Sequence, residues 1–239
     1  MFKKLANLLR NKDPQARASE DVWWIALLMS AVGGFLDAFT WVGHGGVFAN
    51  AQTGNVVLFG VSAAVGHWHQ AFEHLPPLAA FFVGVWVATW LRVRSSRLRL
   101  RHVALVSLVI EIIVLAVIAF LPGDFPDIPV VLAISFIAAV QTSSFRRVRQ
   151  WAYSSIMTTG NLRQAAESLF HALRPPRDPV ILEQAKIFAC LCLTFGMGAF
   201  LGGWLTARWG NPVLALPILA LALTLYACLA QRPQAPDAH

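Results

Sequence analysis

The sequence predicts an all-α membrane protein with six transmembrane helices and two re-entrant half-helix segments, built as a 3+3 inverted repeat. Three observations predict it. The 239 residues are 57% hydrophobic and only 13% charged, and the mean hydropathy of +0.59 lies far above that of a water-soluble domain. Apolar runs of roughly 18 or more residues, long enough to cross a bilayer as helix, recur along the chain. The net charge of +7, from 19 Lys+Arg against 12 Asp+Glu, is gathered into blocks between those runs.

Residues 1–21 carry Lys3, Lys4, Arg10, Lys12 and Arg17, with Phe2, Leu5, Leu8 and Leu9 on one helical face. That pattern predicts a retained cytoplasmic tail lying on the membrane as an amphipathic helix. A single transmembrane domain follows over 22–230, with apolar segments at 22–43, 47–66, 77–93, 102–121, 128–145, 182–206 and 212–230 and a more polar one at 152–172. Eight crossings are the alternative. They would place the cluster from Arg92 to Arg101, and then Arg146, Arg147 and Arg149, outside, against the tendency of Lys and Arg to stay in the cytoplasm. If 47–66 and 152–172 dip in and return, seventeen of the 19 basic residues share the cytoplasmic side in three blocks. Both termini, including the 231–239 tail, are then cytoplasmic, and the expected location is the bacterial inner membrane. The external stretch 44–76 has no Lys or Arg but holds His44, His67, His69 and His74, expected in a solvated loop.

The two dips carry an echo. Gln52-Thr53-Gly54-Asn55 recurs as Thr158-Thr159-Gly160-Asn161 at an offset of 106 residues. Repeat 1 runs over about 22–121 and repeat 2 over about 128–230, each with three spans and one dip. An odd number of crossings forces the copies into opposite orientations, as in many transporters. Gly43, Gly45 and Gly46 permit a tight or left-handed turn, Gly54 permits the reversal, and Thr53 or Asn55 is placed to cap a half-helix starting near Val56. Thr159 or Asn161 would do the same in the second copy. Two half-helix N-termini facing each other near the midplane attract an anion or the electronegative end of a neutral solute.

The polar residues inside the apolar runs are the remaining candidates. Asp37 lies deep in the first span and Glu111 in the third; carboxylates at such depth are costly and therefore candidate proton-coupling groups. Gln141 stands near the end of the fourth span as a neutral counterpart of Asp37. The candidate substrate site is therefore Asp37, Gln52, Thr53, Gly54, Asn55, Gln141, Thr159, Gly160 and Asn161. Gly196, Gly198, Gly202 and Gly203 suit close helix packing, and Pro217 a kink in the last span. Cys190, Cys192 and Cys228 lie in apolar runs with no metal-ligand spacing, so neither a metal nor a cofactor is expected. No HExxH, GxSxG or Ser/His/Asp pattern points to an enzyme.

Gly34-Phe35-Leu36-Asp37-Ala38, the run from Val47 to Val57, Gln141 and Thr159-Gly160-Asn161 together resemble the YoaK-like family of bacterial membrane proteins. The likeness covers about residues 22–230. It implies six transmembrane segments and supplies no activity, since that family is a domain of unknown function. The expected function is a small-solute or ion transporter or channel, with a non-transporting scaffold or sensor as the alternative. Its expected partners are the lipid bilayer and a small polar or anionic solute, with no nucleic acid; a homodimer is left open.

Overall fold

A computed structural model describes residues 23–94, 100–176 and 178–230. The expected amphipathic tail at 1–21 and the tail at 231–239 lie outside the described residues.

Trp23–Gly43 forms the first helix of the described residues, α1. Among its polar residues, Ser30, Asp37 and Thr40 are all buried, and the rest of the helix is dominated by apolar side chains and glycine. Two short helices follow, α2 (Gln52–Ala64) and α3 (Trp68–Glu73); α3 has no counterpart in the expected pattern. Leu75–Arg94 is α4, with two prolines in a first turn whose N–H groups have no intrahelical acceptor anyway. Next come α5 (Leu100–Ala119) and α6 (Asp127–Ser144). A two-stranded hairpin, β1 (Arg147–Val148) and β2 (Trp151–Ala152), stands where the sequence suggested only the approach to a dip. It leads into α7 (Thr158–Ala172). The long α8 (Pro179–Trp209) starts with the Asp178 carboxylate accepting from Val180 N–H at 2.8 Å, and a 3₁₀ turn, Asn211–Leu214, connects it to α9 (Ala215–Ala230). Pro217 is the third residue of α9, just after the 3₁₀ turn that opens the Asn211–Ala230 stretch.

Among the described residues, five helical stretches are long and apolar enough to cross a membrane: Trp23–Gly43, Trp68–Arg94, Asp127–Ser144, Pro179–Trp209 and Asn211–Ala230. In addition, α5 is apolar over Ala104–Ala119. α1 and α6 are the most enclosed; α1 packs chiefly on α8 and then on α9, and α6 chiefly on α4 and then on α5. Glycine makes the closest contacts possible. A Cβ at Gly34 would overlap the Phe195 carbonyl, one at Gly198 the Ala31 carbonyl, and one at Gly202 the Phe35 backbone, so three small residues bring α1 and α8 into backbone contact. Gly84 does the same for α4 against Phe136 and Ala139 of α6.

The outer faces invert the rule of soluble proteins. Phe82, Trp86, Trp90 and Val93 on α4, Leu193, Met197 and Phe200 on α8, and Leu219, Leu223 and Tyr226 on α9 are exposed at helical spacing. Stripes of that kind face hydrocarbon. The long helices also alternate in direction. His44 just after α1, Asp127 at the start of α6, Asn211 after α8 and the Leu121 carbonyl after α5 are joined by hydrogen bonds at one end. At the other end, the Arg92 guanidinium of α4 donates to the Ser143 carbonyl of α6.

Candidate functional site

After Gly43 the chain turns through Gly45 and Gly46, whose φ values of +75° and +67° lie in the left-handed region that favours glycine. It then runs back along α1. Ala49 N–H donates to Thr40 Oγ1 at 3.1 Å, Asn50 N–H to Asp37 Oδ1 at 2.7 Å, and Ala51 N–H to the same oxygen at 3.2 Å. The Asn50 amide reaches the Gly33 carbonyl at 2.9 Å. Gly33 is the central residue of α1, about 15 Å from its C-terminal end at 1.5 Å per residue. There α2 begins.

Asp37 therefore plays the part expected of a bound anion. Its carboxylate accepts from the backbone immediately before the N-terminus of α2, where the helix dipole favours negative charge. The side-chain caps expected at Thr53 or Asn55 are not formed, because α2 starts at Gln52, earlier than Val56, with Ala51 as its N-cap and no side-chain cap bond. Asn55 instead reaches back seven residues. Its Oδ1 accepts from Phe48 N–H at 3.1 Å, and its Nδ2 donates to the Phe48 carbonyl at 2.7 Å and to Gln52 Oε1 at 3.1 Å. Gln52 Nε2 in turn donates to the Ala49 carbonyl at 2.7 Å. Gly54 is helical, with its Cα against the Phe48 ring, and Thr53 is exposed.

The second turn repeats this device. Asn161 Oδ1 accepts from Ser154 N–H at 3.3 Å and its Nδ2 donates to the Ser154 carbonyl at 2.7 Å, again seven residues upstream. Helix α7 starts at Thr158 with no side-chain cap, and Thr159 and Gly160 are exposed. The Ser155 carbonyl lies so close to Gly33 that a Cβ there would overlap it. Both turns thus touch the same residue in the middle of α1. Within this junction Asp37 Oδ2, Asn50 Oδ1, Ser155 Oγ and Thr158 Oγ1 are buried without a hydrogen-bond partner.

Gln141 lies apart from Asp37. It is buried and donates from Nε2 to Glu111 Oε1 at 3.1 Å and to Met29 Sδ at 3.9 Å, joining α6, α5 and α1. Glu111 is wholly buried, and its second oxygen has no partner. Among the described residues no three His, Cys, Asp or Glu side chains are placed to share a metal ion.

Of the expected site residues, Gln52 and Asn55 bond each other beside the Asn50 and Ala51 amides that hold Asp37, while Gln141 lies apart; Gly33, Asn50 and Ser155 are not among the residues the sequence singles out as the site. Asn50 stands beside the Gln52–Asn55 motif, but its bond to Gly33, 17 residues away, has no sequence period. His44 and His74 are buried, against the expectation of a solvated loop.

Apolar outer faces, alternating long helices and polar turns folded back to the centre define a multi-pass helical membrane protein. The chain belongs to the family described as "Protein of unknown function (DUF1275)", which matches residues 25–227. It is also similar to the UPF0700 transmembrane protein YoaK of Bacillus subtilis (strain 168), at 26% identity over 174 residues, covering 69% of this chain and 77% of that protein. No solved structure matches the chain.

Proposed function

We propose that the protein is a transporter or channel for a small polar solute or an ion, with its central site where the two turns meet Gly33. In this reading the six long helices cross the bacterial inner membrane, α2 and α7 are re-entrant, and both termini are cytoplasmic. The observation that carries it is the cluster of unpaired buried oxygens at the junction: Asp37 Oδ2, Asn50 Oδ1, Ser155 Oγ and Thr158 Oγ1. A buried polar atom with no partner costs about 1–3 kcal/mol, and four of them on two turns and one helix call for donors that a solute or water would supply. Carboxylate and amide oxygens only accept, and the two hydroxyls do both, so the set suits a cation or a solute rich in N–H or O–H groups.

Two features support the inverted repeat. The Asn55–Phe48 and Asn161–Ser154 clamps are the same at an offset of 106 residues, and the packing of α1 on α8 and α9 mirrors that of α6 on α4 and α5. Asp37 and Glu111 are the proton-coupling groups, each with one oxygen unpaired. The test is reconstitution in proteoliposomes loaded with a pH-sensitive dye, with methylammonium and acetamide as solute probes under an imposed pH gradient. Protein-dependent flux is expected, abolished by Asp37→Asn and uncoupled from protons by Glu111→Gln. Liposomes that behave like empty ones for protons and both probes would refute the proposal.

A further inference from the structure

At the end of the bundle remote from Arg92, His44 is buried between two acceptors. Its Nδ1 lies 2.9 Å from Asp127 Oδ1, and its Nε2 lies 3.1 Å from Asn211 Oδ1. The Asn211 amide cannot be turned round, because its Nδ2 donates to the Leu121 carbonyl at 3.1 Å, and a flip would set oxygen against oxygen. Nε2 must therefore carry hydrogen. Nδ1 faces a carboxylate, so a second proton lies on that contact, on the ring or on Asp127; the proton count of the pair is the same in both cases. The chain of bonds ties together the turn after α1, the start of α6, the connection from α8 to α9, and the end of α5.

We infer that this His44–Asp127–Asn211 chain is a proton-dependent latch that holds the end of the bundle closed, and that loss of the proton opens the cleft beside it. That cleft, of about 250 Å³, is lined by His44 and Asp127 together with Glu73, Pro76, Pro126 and Val131. The charged groups facing the ring are Asp127, in direct contact from α6, and Glu73 across the cleft at the end of α3; α1 presents the Phe39 ring at 4.9 Å and the 3₁₀ turn the neutral Asn211. Asp127 is half-exposed, so solvent protons reach the pair. The closed form holds the extra proton, and without it a ring lone pair would face an acceptor oxygen. The inference stands apart from the transport reading, since a sensor would use the same latch.

The test is maleimide labelling of the full chain in nanodiscs, with Val131→Cys as the reporter in the cleft and Cys190, Cys192 and Cys228 changed to alanine. Thiol reactivity itself rises with pH, so each rate is divided by that of the same thiol in a His44→Gln protein. With one charged hydrogen bond at stake, the latched protein is expected to label about tenfold more slowly than the variant at pH 5.5 and equally fast at pH 8.5. Asp127→Asn is expected to remove the pH dependence likewise, and it serves as the reference if His44→Gln does not fold. A rate ratio that stays flat with pH, or a pH dependence that survives Asp127→Asn, overturns the latch.

Discussion

Replacing Asn55 by alanine isolates the clamp that shapes the first turn. The change removes the bond from Phe48 N–H at 3.1 Å and the bond to the Phe48 carbonyl at 2.7 Å, and it deprives Gln52 Oε1 of its donor. Each buried group left unpaired costs about 1–3 kcal/mol, so two main-chain groups imply a loss of about 3 kcal/mol. Hydrogen bonds between membrane helices average only about 0.6 kcal/mol, because displaced groups find other partners. A main-chain N–H and C=O in a turn pressed against α1 have no such choice. Asn161→Ala breaks two bonds, the longer at 3.3 Å, and is expected to lose about 2 kcal/mol. Asn55→Asp keeps the acceptor but turns a second oxygen toward the Phe48 carbonyl, so it should rescue nothing. The assay is unfolding in maltoside micelles by added sodium dodecyl sulfate, followed by tryptophan fluorescence. The two losses should add to within about 0.5 kcal/mol, since the clamps share no partner. An Asn55→Ala protein as stable as the parent, or one restored by aspartate, would refute the reasoning.

Glycine substitutions should divide sharply. Gly198→Ala and Gly202→Ala push backbone against backbone and are expected to cost about 1–3 kcal/mol each in the same unfolding assay, whereas Gly160→Ala and Gly196→Ala meet nothing within 4 Å and should be neutral or stabilising by up to about 1 kcal/mol. Single cysteines at the exposed Gln70 and Gln150 should label from the outer and the cytoplasmic side, respectively, of oriented membrane vesicles; the reverse, with Gln70 inside and Gln150 outside, would restore the eight-crossing topology.

The long helices and their order were legible because apolar length is a local property, and the paired Asn55 and Asn161 because a repeat survives in the letters. Their role was not legible. Capping rules assign an asparagine to the start of the helix beside it, but here the helices begin three residues earlier, at Gln52 and Thr158, and the amides turn outward to the preceding turn. The pairing of Gln141 with Glu111 was hidden for a related reason. Gln141 was matched to Asp37 by position in the repeat, but its rotamer on α6 points it at α5. His44 looked like an exposed loop residue because its partners, Asp127 and Asn211, are 83 and 167 residues away.

The contact between α1 and α8 also sets an order of assembly. Helix α1 leaves the ribosome long before the helix that completes its buried face: Ser30 waits for the Leu191 carbonyl, 161 residues later, and Gly34 for Phe195. Asp37 does not have to wait, because its acceptor oxygen is matched by Asn50 and Ala51 within 14 residues. The newborn helix can therefore rest in the bilayer with its carboxylate already served by its own turn, holding open the seat that α8 later fills.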